Sequence, residues 1–153
     1  MLRPKLGDFS SIVCFKAAIV GMEDVLGERA TAIALTSAGR LRGKNVAQEL
    51  GLNGSKLSLE DICYKVGHAI GTDGTRLCLI EKIVQDGETI KVYTSETFCS
   101  AGEPLGSQRQ CTYTLGVVWG ALESIFHKRF QGKHTESVLR GGTHDVFEFT
   151  EIK

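Results

Sequence analysis

At 153 residues, with 42% hydrophobic and 24% charged side chains, the chain is long enough to bury one core and is expected to form a single domain over residues 1–153. Its 18 basic residues cancel 18 acidic ones, and without the basic surplus that displaces counterions from phosphate it is not expected to bind nucleic acid. No apolar run reaches the roughly 18–20 residues of a membrane-spanning helix, so no transmembrane segment is expected.

The opening MLRPKLGDFSS lacks an apolar stretch ending in a small-residue cleavage site, which points to a cytoplasmic location. Cys14, Cys63, Cys78, Cys99 and Cys111 are odd in number, widely spread and without a C-x-x-C pair. That pattern suits reduced thiols better than a disulfide scaffold or a zinc knuckle.

In chain order, Ile12, Phe15, Ile19, Met22, Val25 and Leu26 recur at helical spacing, with Ser10 or Ser11 placed to start the helix and Gly27 to end it. A second helix is predicted from Glu28 to Leu50. Its stripe would be Ala30, Ile33, Ala34, Ser37, Leu41, Val46 and Leu50, with Arg40, Arg42, Lys44 and Glu49 facing elsewhere. Gly39 and Gly43 lie one turn apart on it. Because glycine weakens a helix by about 1 kcal/mol against alanine, their use is close approach by another element.

Ser58 with Asp61 forms a capping-box pattern opening a third helix through Ile70. The period then changes: Arg76–Val84 and Thr89–Thr97 are rich in β-branched residues and flank Asp86-Gly87, a hairpin signal. After a polar loop from Ser100 to Gln110, helical spacing returns from Tyr113 to Phe126. Two short strands, His134–Leu139 and Asp145–Ile152, are predicted around Gly141-Gly142. Helices and antiparallel hairpins in this order indicate an α+β fold.

Phosphate-loop, dinucleotide-turn, H-E-x-x-H and G-x-S-x-G motifs are absent from the sequence. Gly116-Val-Val-Trp-Gly120 reads as a tightly packed helix face in a soluble domain. His68, His127, His134 and His144 belong to no recognisable catalytic motif; His68, near Tyr64 on the third helix, is the one that could ligate a haem. Trp119, Phe15, Phe126 and Phe130 could line an apolar cavity or fill the core, and the core reading is favoured.

The segment from Cys111 to Ile152 resembles the 4-vinyl-reductase domain family, also labelled hydrocarbon-binding, and is similar to the small core subunits of the TRAPP vesicle-tethering complex, which share that fold. The matching features are Cys111 ahead of an amphipathic helix, the Gly116 and Gly120 pair followed by Ala121-Leu122-Glu123, the Gly141-Gly142 turn and a last strand with Phe147. The glycine-containing helix TSAGRLRGKNVAQELG adds to the likeness.

The resemblance implies a helical layer packed on an antiparallel sheet, paired into a homodimer through its helices. It implies a non-catalytic sensor or carrier that binds a small apolar molecule between the helical layer and the sheet, with Phe15, Ile19, Val118 and Leu122 as ligand-binding wall residues. The alternatives are a TRAPP-subunit-like interaction module and an accessory protein of tetrapyrrole vinyl reduction. For the last of these, the sequence supplies no identifiable proton donor or hydride source.

Some sensory members of the family hold zinc with Cys, Glu, Cys and Cys. Residue by residue these fall on Cys111, His134, Ser137 and Asp145. Cys111, His134 and Asp145 could hold zinc, but Ser137 is a poor donor, so no metal or other cofactor is assigned. One TRAPP subunit is acylated on a cysteine just after its second helix; the corresponding stretch GLNGSKLSLED has none, so covalent acylation is not expected.

Overall fold

In the computed structural model, which describes residues 1–153, three helices come first: α1 (Ile12–Leu26), α2 (Glu28–Glu49) and α3 (Leu59–Ile70). They are followed by β1 (Leu79–Asp86), β2 (Thr89–Ser95), α4 (Thr112–Phe126), β3 (Phe130–Glu136), a 3-10 turn (Val138–Arg140) and β4 (Asp145–Glu151). Gly27, at φ 81°, separates α1 from α2. Ser58 Oγ accepts the Asp61 N–H at 3.1 Å, capping α3 as its sequence indicates. The β1–β2 hairpin closes at the Asp86–Thr89 pair, with Gly87 at φ 60° in the turn.

The four strands form one antiparallel sheet in the order β1-β2-β4-β3. Alternation sets its two faces. Ile90, Val92, Phe147 and Phe149 turn inward and are buried, while Lys91, Tyr93 and Glu148 turn outward. The α+β class and the helical layer on an antiparallel sheet are therefore what the sequence indicates.

The α2–α4 crossing positions everything else. Gly39 and Gly43 meet Gly116 and Gly120, so that backbone touches backbone: a methyl on Gly39 would strike the Tyr113 carbonyl, one on Gly43 the Val117 carbonyl, and one on Gly120 the Arg40 carbonyl. Helix α4 is buried along most of its length, with Trp119 stacking edge-on to Phe149 of the sheet at 6.3 Å.

The glycines also choose which side of α2 faces inward. Its buried stripe is Thr31, Leu35, Gly39, Gly43, Val46 and Ala47. The predicted stripe is corrected: Ala30, Ile33, Ala34, Ser37 and Leu41 face solvent, with Ile33 65% and Leu41 64% exposed. The side of α2 with the least side-chain bulk wins because it alone permits the short interaxial approach.

Other boundaries shift for local reasons. Arg76 and Glu96 adopt left-handed backbone (φ 56° and 51°), which keeps them out of β1 and β2. Strand β3 begins at Phe130, anchored by ring contact with Phe126 at 6.3 Å, and stops before Ser137, whose hydroxyl accepts the Leu139 N–H and turns the chain out of the ladder. His68 stacks on exposed Tyr64 and pairs with Asp73 at 3.4 Å on the surface, away from any haem-sized pocket. The cysteine expectation is also corrected: Cys99 and Cys111 form a disulfide across a Cα separation of 5.3 Å, leaving Cys14, Cys63 and Cys78 free. No helix is long and apolar enough to cross a membrane.

Candidate functional site

Between α1, the start of α2 and the segment leading into α4 lies a cavity of about 480 Å3. Its apolar lining includes Ile19, Val20, Ala32, Leu35, Phe98 and Tyr113. Lys16, Glu23, Glu103 and Arg109 form the polar part. Lys16 Nζ reaches Glu103 at 3.0 Å and also donates to the Ala101 carbonyl. Arg109 grips Glu23 with two parallel bonds of 2.9 and 3.1 Å, and its Nε sits 2.9 Å from Glu103 without hydrogen-bond alignment.

These four side chains tie α1 to the 96–111 segment. The Lys16 bond holds the Glu103 carboxyl below its usual range, against the opposing effect of burial. The Glu23 bond holds the Arg109 guanidinium above its own. Both charges are thus secured at neutral pH.

A second cluster adjoins the first through Cys99, which lines the cavity while bonded to Cys111 at the N-cap of α4. Behind that bond, His134 Nδ1 accepts the Cys111 N–H at 3.3 Å and His134 Nε2 meets Asp145 Oδ1 at 3.2 Å. Thr97 Oγ1 donates to Asp145 Oδ2 at 2.6 Å. Burial alone would push the Asp145 carboxyl up, but hydrogen bonds from His134, Thr97 and Ser137 overcome it and hold the group at about 2. Burial, assisted by that same carboxylate, pushes the free Cys78 thiol up to about 12, so Cys78 stays a protonated, inert thiol.

Cys111, His134 and Asp145 do converge, their ligand atoms lying within 4.8 Å of one another. In this arrangement they do not fit a metal. The sulfur is spent in a disulfide when a metal requires a thiolate, and both histidine nitrogens and both carboxylate oxygens already have protein partners. Ser137 is occupied as the cap of the 3-10 turn. The trio is no nucleophile–base set either, because His134 Nδ1 is taken by a backbone N–H and cannot accept a proton from sulfur.

The four residues expected in a ligand wall separate into two places. Ile19 lines the cavity, and Phe15 stands behind it, 4.8 Å from the Phe98 ring and 4.9 Å from the Tyr113 ring. Val118 and Leu122 lie in the filled core between α4 and the sheet and do not line this cavity. The residues that sequence reasoning missed are Lys16, Glu23, Glu103 and Arg109, paired across more than 80 positions. One local signal was available: Cys99 and Cys111 bracket the polar loop.

No family model and no curated protein matches the chain. Solved structures do. The phenol-responsive sensory domain of the transcription activator PoxR, bound to phenol, aligns with a TM-score of 0.69 at 14% identity, covering 94% of this chain and 75% of its own. A trafficking protein particle complex subunit 3 from Naegleria fowleri, covalently bound to palmitic acid, aligns at 0.58 and 16% identity over 93% of both chains. A vinyl-4-reductase family protein from Methanocaldococcus jannaschii aligns at 0.53 and 18% identity, over 97% of this chain and 86% of that one. The chain therefore has the fold shared by these sensory, TRAPP-type and vinyl-reductase-type proteins.

Proposed function

We propose that the chain is a non-catalytic domain that holds a small, largely apolar molecule in the cavity between α1, α2 and the 96–111 segment, as a sensor or carrier in the cytoplasm. The observation that carries this reading is the cavity itself. Its volume of about 480 Å3 falls in the range of ligand sites. Removing an apolar guest from water yields about 25 cal/mol per Å2 before ordering costs, while Lys16 and Arg109 offer donors to a polar substituent. The PoxR domain, of the same fold, is a phenol-bound sensor, which supports a guest of that general size.

The proposal includes a homodimer formed through the helices. Ala30, Ile33, Ala34 and Leu41 on α2, and Val13 (74% exposed) on α1, leave apolar surface facing outward. The same surface favours the second reading, an interaction module like a TRAPP subunit, in which that face recruits a different protein.

Native mass spectrometry of protein purified from its own host separates the two. A small molecule retained by the wild type and lost in Ala32→Trp, which fills the cavity, supports the first reading. A guest-free chain carrying a bound protein partner overturns it in favour of the second.

A further inference from the structure

The misfit between the Cys111–His134–Asp145 cluster and a metal has a constructive side. Where a metal could cross-link the start of α4 to the sheet, this chain has a covalent bond to Cys99 instead, and Cys99 is a cavity residue. Taking the cavity as the guest site proposed above, we infer that the Cys99–Cys111 disulfide is a redox-operated latch on it. Oxidised, it holds residues 97–110 as the cavity's outer wall; reduced, it frees that wall and speeds passage of the guest.

The bridge spans a sequence separation of 12, and between its ends lie Glu103, Ser107, Gln108, Arg109 and Gln110, all part of the lining. This stretch forms neither helix nor strand. Apart from the bridge it is fastened by polar contacts: Lys16 and Glu23 of α1 to Glu103 and Arg109, Arg140 to the Ser107 and Arg109 carbonyls at 3.1 and 3.2 Å, and the Gly106 N–H to the Leu139 carbonyl at 2.6 Å. Partly exposed polar contacts of this kind each contribute little, so the covalent bond is the strongest single constraint on the wall.

The geometry also gives the latch a direction of attack. Cys99, 5% exposed, borders the cavity, whereas Cys111, 2% exposed, lies behind it at the N-cap of α4. A dithiol reductant presents a thiolate that bonds to Cys99 sulfur as the S–S electron pair departs on Cys111. The reductant's second thiol then displaces Cys99. The reductant becomes a disulfide, and the two cysteines take up two electrons and two protons. In a reducing cytoplasm such a bond forms on oxidation and is otherwise open, which is the behaviour of redox-sensing disulfides.

The test compares oxidised and dithiothreitol-reduced protein, in the presence of a chelator, by hydrogen exchange and by stopped-flow uptake of anilinonaphthalene sulfonate. Reduction is expected to raise exchange across residues 97–110 and the dye association rate each by ~tenfold, leaving exchange in α2 and α4 unchanged. Cys99→Ser should behave as permanently reduced and ignore dithiothreitol; Cys111→Ser serves if that variant does not fold. Unchanged exchange or unchanged uptake overturns the latch while leaving the cavity reading standing, provided Ala32→Trp abolishes dye binding in the oxidised protein. Dye binding indifferent to Ala32→Trp overturns the cavity reading and the latch with it. In a parallel run without chelator, added zinc that restores protection of 97–110 in the reduced protein also overturns the latch, since the cluster would then be a metal clasp.

Discussion

Two sides of this small domain are built on opposite principles. Along the α2–α4 crossing, Gly39, Gly43, Gly116 and Gly120 bring backbones into contact, and behind them Val118, Leu122, Phe147 and Phe149 fill the space down to the sheet. Across α1 and the 96–111 segment, ion pairs and one disulfide span a space that side chains leave open. The first region gains stability from close packing and has no room for a guest. The second gives up that packing and retains a site. Stability and function are thus divided along α2, between its glycine crossing with α4 and its start beside the cavity.

The largest expected effect comes from breaking the packed side. Gly120→Val drives a side chain into the Arg40 carbonyl, which no rotamer relieves, and a loss beyond ~4 kcal/mol is expected in urea denaturation. A near-neutral result would mean that the seam is looser than its geometry implies.

Breaking the open side should cost less. Reducing Cys99–Cys111 releases a loop whose closure entropy is worth about 3 kcal/mol, read as a lower denaturation midpoint for the reduced protein.

Acid should act next. Asp145 is held at about 2 against an ordinary 3.8, so its contribution is present above the unfolded value and is lost as the pH falls through the folded one. That depression corresponds to about 2 kcal/mol, and Asp145→Asn should flatten the fall in stability between pH ~4 and ~2. The smallest change in stability is expected from Glu23→Gln. It loosens the Arg109 clamp for under ~1 kcal/mol yet, by opening the rim, should still alter guest exchange rates.

The sequence shows the packed side better than the open one, for physical reasons. Gly39, Gly43, Gly116 and Gly120 are conspicuous because glycine in a helix is costly without a close neighbour, and Ser58, Asp61 and the Asp86-Gly87 turn announce themselves through local hydrogen bonding and backbone preference. Hydrophobic periodicity points to the wrong face of α2 because it weights Ile33 and Leu41 above glycine, whereas the crossing depends on absent side chains. The cavity depends on pairs such as Glu23 with Arg109, far apart in sequence, and a space left empty has no residue to mark it. The Cys99–Cys111 bond was concealed by an odd cysteine count that suggested free thiols throughout.

Whether the open side receives a guest can be read directly by methyl NMR during a phenol titration of wild-type and Ala32→Trp protein. The account predicts saturable shifts at Ile19, Val20 and Leu35 in the wild type, absent in the variant, with Val118 and Leu122 unmoved. Shifts confined to Val13, Ile33 and Leu41 on the outer helix faces, or shifts at Ile19 and Leu35 that survive Ala32→Trp, would contradict it.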